Sequence, residues 1–189
     1  MTTTATPQST LTDLTGTYTL DPAHTRIGFV ARHAMVTKVR GAFNEFEGTG
    51  TLDGTNPANS RVQVTIDAAS IDTRNAQRDE HLRGNDVLAM KEYPRITVSS
   101  TGVRQLDDTT FEVTGDLTIK GVTNSITVPF TFEGAAKDPF GNLRIGFEGS
   151  VTINRKDYGI TWNAALETGG VLVSDKVTLE FEVSAIKNA

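Results

Sequence analysis

The 189-residue chain has no cysteine, which excludes disulfides, thiolate metal sites and a cysteine nucleophile. Histidine is scarce too: His24, His33 and His81 are the only three, and none falls in a zinc spacing such as His-Glu-x-x-His. There is no Gly-x-Ser-x-Gly elbow, and the glycines at Gly41 and Gly169-Gly170 lack the spacing of a phosphate loop. No apolar run reaches the ~18 residues of a membrane-spanning helix. Basic charge is not in excess: 18 Lys and Arg stand against 23 Asp and Glu, for a net charge of −5. A nucleic-acid partner would need a clustered basic footprint, so none is expected. The opening residues MTTTATPQSTLTDLT lack the basic start and apolar middle of a secretory signal. We therefore expect a flexible N-terminal segment over 1–16 and one domain over 17–189. The protein is expected to be cytoplasmic, with no integral membrane segment, metal or cofactor.

What the chain does have is alternation. From Phe111 to Phe132, the residues Phe111, Val113, Gly115, Leu117 and Ile119 alternate with polar neighbours. After a turn over 120–124, Ile126, Val128, Phe130 and Phe132 do the same. Successive strand side chains point to opposite faces, so each run has one apolar and one wet row. Such a hairpin is not stable alone and needs further strands over its apolar face. The same pattern recurs over 26–31, 61–67, from 95, over 143–153 and over 177–185. The stretch 39–52 reads as one long strand broken by a bulge, and a register change is expected near Gly149-Ser150. A sheet with one greasy face most simply closes on itself, which also removes its edges. The fold expected is all-β: a single antiparallel barrel of about eight strands with a helical insert near residues 73–90.

Pattern alone leaves a filled core and a hollow lumen both open. The inward candidates are Ile27, Phe29, Phe43, Val64, Ile96, Val98, Leu117, Phe130, Phe147, Trp162, Leu179 and Phe181, with Leu82 and Leu88 from the insert. Between Thr73 and Arg83 alternation stops, Asp72 or Thr73 can cap a helix of about three turns, and Gly84 can end it. Asp79 and Arg83 stand four apart, as a helical ion pair does. Arg74, Arg78 and His81 fall at i, i+4 and i+7 and would share a helix face. Two guanidinium groups beside an imidazole can hold a phosphate or another polar head group; a plain solvated face fits the same spacing.

The order of segments resembles the YceI-like family of polyisoprenoid-binding proteins. It runs Asp21-Pro-Ala-His24-Thr-Arg-Ile-Gly-Phe29, Val39-Arg-Gly-Ala-Phe43, Ile71-Asp-Thr73 and Arg78-Asp-Glu-His81-Leu-Arg-Gly-Asn-Asp86. Tyr93-Pro94, Gly115-Asp-Leu-Thr-Ile-Lys-Gly-Val-Thr123, Asn154-Arg155-Lys-Asp-Tyr158-Gly-Ile160 and Val173-Ser-Asp175-Lys-Val177 follow. Thr25 stands where the family usually has serine. The resemblance implies a lipocalin-like barrel, extended in shape, whose lumen holds a polyprenyl chain, an isoprenoid quinone or a similar long-chain lipid. It also implies, for many members, a homodimer and a periplasmic site. Arg74, Arg78 and His81 would meet the head group, with His24, Asn154 and Arg155 as further candidates. A strand such as Phe111–Ile119 spans about 30 Å at ~3.3 Å per residue. That is room for about six stretched isoprene units at roughly 1.2 Å per bond.

The reading favoured is non-catalytic binding, transport or storage of that lipid. Two alternatives stay open. One is an enzyme acting on a small hydrophobic substrate, with His24 and Asp21, or His33, as acid or base. The other is a solid scaffold working through its surface, which requires no cavity large enough for a drug-sized molecule.

Overall fold

The computed structural model describes residues 10–167 and 169–189. Among them are eleven strands, paired antiparallel throughout, and one α-helix. The first six strands are β1 (Gly16–Leu20), β2 (Arg26–His33), β3 (Thr37–Phe43), β4 (Phe46–Leu52), β5 (Arg61–Asp67) and β6 (Ile71–Asp72). The helix α1 (Ala76–Arg83) comes next. Then follow β7 (Arg95–Gln105), β8 (Thr110–Ile119), β9 (Val122–Lys137), β10 (Leu143–Asn154) and β11 (Lys176–Lys187).

Eight strands close a ring in the order β1-β4-β5-β7-β8-β9-β10-β11 and back to β1. This is the expected antiparallel barrel, and closure removes the edges that its apolar rows would otherwise leave open. β11 carries two partners along one side. β1 pairs with its end (Leu20 opposite Ala185) and β2 with its beginning (Phe29 opposite Leu179). The step between them is held by the buried Thr25, whose Oγ1 donates to the Ser184 carbonyl and accepts from the Ser184 N–H, each at 3.0 Å. β3 and β6 extend the sheet from β2. Among the described residues β6 pairs only with β3, so the sheet ends at β6, while β7, which α1 joins to β6 along the chain, has both edges taken by β5 and β8.

The central hairpin is tighter than its sequence suggested. Lys120 and Gly121 (φ 52° and 74°) make a two-residue turn, with Ile119 opposite Val122. Both central residues of such a turn are left-handed, and that twist suits the flanking strands. The expected strand over 39–52 is instead two, β3 and β4, split at Asn44-Glu45. The register shift expected near Gly149-Ser150 lies between Gly146 and Phe147.

The helix is shorter than expected, because Asn75 and not Asp72 or Thr73 caps it, accepting from the Arg78 N–H at 3.0 Å. The Asp79–Arg83 pair does not form. Asp79 is buried and accepts from the Thr73 N–H and hydroxyl, while Arg83 donates to the Ala69 and Ile71 carbonyls at 2.7 and 3.1 Å. Residues 1–9 of the segment expected to be flexible lie outside the described residues. Its remainder is structured: Leu11–Leu14 form a 3₁₀ turn and Leu14 is buried. No described helix is long and apolar enough to cross a membrane.

Candidate functional site

The inward rows of the barrel enclose two apolar chambers stacked along its length. The chamber at the β1 end has a volume of about 160 Å³ and is lined by residues including Tyr18, Phe111, Phe130, Ile145 and Phe147. The chamber at the α1 end has a volume of about 170 Å³. Ile27, Phe29, Phe43, Ile96, Val98, Leu117, Leu179 and Phe181 line it from the strands, and Leu82 and Leu88 close it from the insert. Alternation places the strand residues there, since all belong to inward rows. Of the remaining lumen candidates, Val64 packs on the core of the α1 end without lining a chamber. Trp162 lies edge-on against His81, ring centroids 4.5 Å apart, and lines neither chamber.

An aromatic bar separates the chambers. Phe130 lines one and Phe181 the other, with ring centroids 5.9 Å apart. On β10, Gly149 stands opposite both, Phe130 on β9 and Phe181 on β11. A Cβ at Gly149 would lie 2.6 Å from the Phe130 ring. The missing side chain is what lets the two rings lean together over the intervening strand. The lumen is therefore not the continuous tube of about 30 Å that strand length suggested.

The polar candidates part company. Arg78 folds back on the chain, with Nε donating to Thr73 Oγ1 and Nη2 to the Thr73 carbonyl, both at 2.7 Å. Arg74 precedes the helix in a left-handed conformation (φ 63°), so the i, i+4, i+7 face does not exist. Its side chain makes no hydrogen bond or ion pair among the described residues. His81 Nε2 lies 3.4 Å from Asp86 Oδ2. His24 sits outside both chambers, with Nδ1 2.7 Å from Asp21 Oδ2. Asp21 is also bound by Arg144, whose guanidinium, followed by His24, holds that carboxyl at about 2. Asn154 caps the 3₁₀ turn Arg155–Tyr158, accepting from the Lys156 N–H.

Arg155 is buried and lines the α1-end chamber, but its guanidinium is spent on the chain. It donates to the carbonyls of Ser174 (2.9 Å), Ile160 (2.7 Å) and Trp162 (2.9 Å). Burial pushes its pKa below the ordinary value, with Asp175 at 3.7 Å acting in the opposite sense.

Sequence reasoning missed Tyr158 and Ile160 in the same chamber. They sit in an aperiodic stretch where no row could be read. The Tyr158 hydroxyl is buried and has no hydrogen-bond partner among the described residues. Burial raises its pKa, and the neighbouring Asn124 amide lowers it, although that amide donates to the Asp157 carbonyl at 2.9 Å. Tyr18 and Ile145 were missed at the other end; Ile145 belongs to a row that was legible.

The profile of the YceI-like domain matches residues 18–185. A UPF0312 protein of Staphylococcus aureus is 39% identical over 169 residues, covering 89% of this chain and 95% of that protein. Among solved structures, BcnA of Burkholderia cenocepacia superposes with a TM-score of 0.77 at 27% identity, over 87% of this chain and 98% of its own. A domain of Saccharophagus degradans described as polyisoprenoid-binding shares the fold, with a TM-score of 0.69 at 17% identity, over 90% of this chain and 98% of that one.

Proposed function

The chain belongs to the YceI-like domain family, and from that premise we propose that it binds an isoprenoid chain, or a similar long-chain lipid, inside the barrel and carries or stores it unchanged. The observation that carries this reading is the pair of chambers walled almost entirely by apolar side chains. The fold shared with a polyisoprenoid-binding domain supports it.

Magnitudes say how the ligand must lie. An engineered cavity of roughly 150 Å³ holds one benzene, so each chamber takes a piece of about that size. Burying the five carbons of one isoprene unit contributes about 4 kcal/mol at ~0.8 kcal/mol per carbon. Association costs about 4–15 kcal/mol, so a single unit binds weakly and a chain must occupy both chambers. Together the chambers just reach the lower end of ordinary ligand cavities, about 300 Å³. The Phe130 and Phe181 rings then swing aside to let the chain through. Arg74 and His81, at the α1 end and not committed to the backbone, are the groups left to meet a head group.

The test is solvent extraction of the purified protein followed by mass spectrometry. A polyprenyl lipid, quinone or other long-chain lipid is expected in the extract. Finding no lipid, and no binding of added polyprenols, quinones or fatty acids, overturns the reading.

A further inference from the structure

The β2–β3 hairpin ends in Ala34, Met35 and Val36, a loop whose chemistry serves neither the turn nor solubility. Ala34 and Met35 both have positive φ, 50° and 64°. Such positions favour glycine or asparagine, as Gly121 illustrates at the second place of the β8–β9 turn. Met35 and Val36 are 61% and 74% exposed. Immediately behind them Arg32 stands directly opposite Lys38, a like-charge cross-strand pair that works against the sheet.

This tip is also where the acidic chain is locally basic. Arg32, Lys38, Arg40 and Lys176 line one outer groove together with Asp175 and Glu180. Both acids are already engaged: Asp175 with Lys156 at 3.3 Å and Arg155 at 3.7 Å, Glu180 with Arg40 at 3.5 Å and Arg26 at 4.0 Å. Among the described residues Arg32, Lys38 and Lys176 make no ion pair. An apolar tip flanked on one side by three unpaired cations fits a surface that is negative outside and apolar beneath.

The tip lies at the α1 end of the barrel. The Ala34 N–H donates to the Leu172 carbonyl at 2.8 Å, and His33 bridges to Val173. Ala31 and Val173, next to these contacts, line the α1-end chamber. We propose that the 34–36 tip and its basic flank dock the protein on an anionic phospholipid bilayer, with Met35 and Val36 entering the head-group layer and Arg32, Lys38 and Lys176 meeting phosphates. Docking at this end sets the chamber against the membrane, so a lipid can pass between them without crossing water. The inference rests on the lipid-binding reading for its purpose but is measured independently of it.

The experiment is flotation of the purified full chain with vesicles of phosphatidylcholine, with and without phosphatidylglycerol. Binding to the anionic vesicles is expected, falling as salt rises because surface charge is screened. Two double variants, Met35→Asp with Val36→Asp and Arg32→Glu with Lys38→Glu, should each weaken it by about tenfold or more. Lys137→Glu, which matches the charge change of the aspartate pair, and Lys137→Glu with Lys187→Glu, which matches that of the glutamate pair, both lie at the β1 end away from the tip and should not. Circular dichroism melts report folding, and mass spectrometry of extracted lipid reports lumen occupancy separately. No preference for anionic vesicles, or binding equal in wild type and both variants, overturns the proposal. So does a change from dimer to monomer in the tip variants with flotation unaltered, because a second copy would then be what covers the tip.

Discussion

The two ends of the barrel are closed by different means. At the β1 end the hydrogen-bonded ladder runs all the way round, and Leu14 plugs it from below while accepting a 2.6 Å hydrogen bond from the Tyr18 hydroxyl. At the α1 end the sheet stops at β6, whose outer edge meets no strand among the described residues, and single side chains hold the neighbouring backbone. Arg83 takes two carbonyls, Arg155 takes three at 2.9 Å or less, Arg78 takes the Thr73 carbonyl and Asp79 takes the Thr73 N–H. A ladder yields only when many bonds break together, whereas a side-chain staple can release one segment by itself. The α1 end is therefore the one whose segments can release singly, and under the proposed function it is the end through which the ligand enters.

The largest effect that would test this contrast comes from Arg155→Met. It keeps the apolar stem but leaves the Ser174, Ile160 and Trp162 carbonyls without their donor. Each buried unsatisfied group costs about 1–3 kcal/mol, so a loss of about 4 kcal/mol is expected in urea unfolding. If the α1 end detaches before the ring, the m-value falls with it, because two-state behaviour breaks down. An unfolding free energy within about 0.5 kcal/mol of wild type would mean that the staple holds nothing.

A smaller effect is expected where the chambers meet. At Gly149 a methyl group would come within 2.6 Å of the Phe130 ring and 2.8 Å of the Pro129 carbonyl; at Gly146 the nearest atoms are 3.7 Å away. Gly149→Ala should cost about 1–3 kcal/mol by overpacking and push the Phe130 ring out of its place in the bar. Gly146→Ala should stay within about 0.5 kcal/mol of wild type. Equal melting curves for the two variants would show that the rings do not depend on the gap beneath them.

The same contrast explains what could be read from the sequence. Strand β5 appears at its expected bounds, and ten of the eleven lumen candidates that lie on strands line one chamber or the other, because a period of two survives wherever a ladder forms. The staples leave no such trace. Arg78 and Arg155 looked like anion binders, since a guanidinium that caps carbonyls and one that clamps a phosphate have the same spelling. Asp79 looked like half of a helical ion pair, yet its partner is Thr73, six residues back, across a bend that no periodicity encodes. The aromatic bar was hidden for another reason: it depends on Gly149 facing two strands at once, which is a fact of register.

The smallest effect concerns acid and belongs to the rim near β1. Arg144 joins Asp21 to Asp138 there. Arg144 and then His24 hold Asp21 at about 2. At Asp138 burial pushes the carboxyl up, but the Asn142 N–H, Arg144, the Asn142 side chain and the Phe140 N–H outweigh it and hold it also at about 2. An unfolded aspartate titrates near 3.9. Because the folded values are depressed, these groups contribute stability that is fully present above about pH 4 and is lost as pH falls through about 2. Arg144→Gln removes the shared cation and lets both folded values rise toward the unfolded one. The gap in melting temperature between wild type and variant should then be widest above about pH 5, narrow steeply toward about pH 2 and close below it. Other depressed carboxylates, such as Asp53 at about 2, titrate alike in both proteins and cancel in the difference. The arginine staples of the α1 end stay charged across this range, so protection of the Tyr18 and Leu20 amides should fail in acid before that of the amides around Arg155. A gap that stays constant down to pH 2 would mean that the rim cluster adds nothing to the ring beyond its ladder.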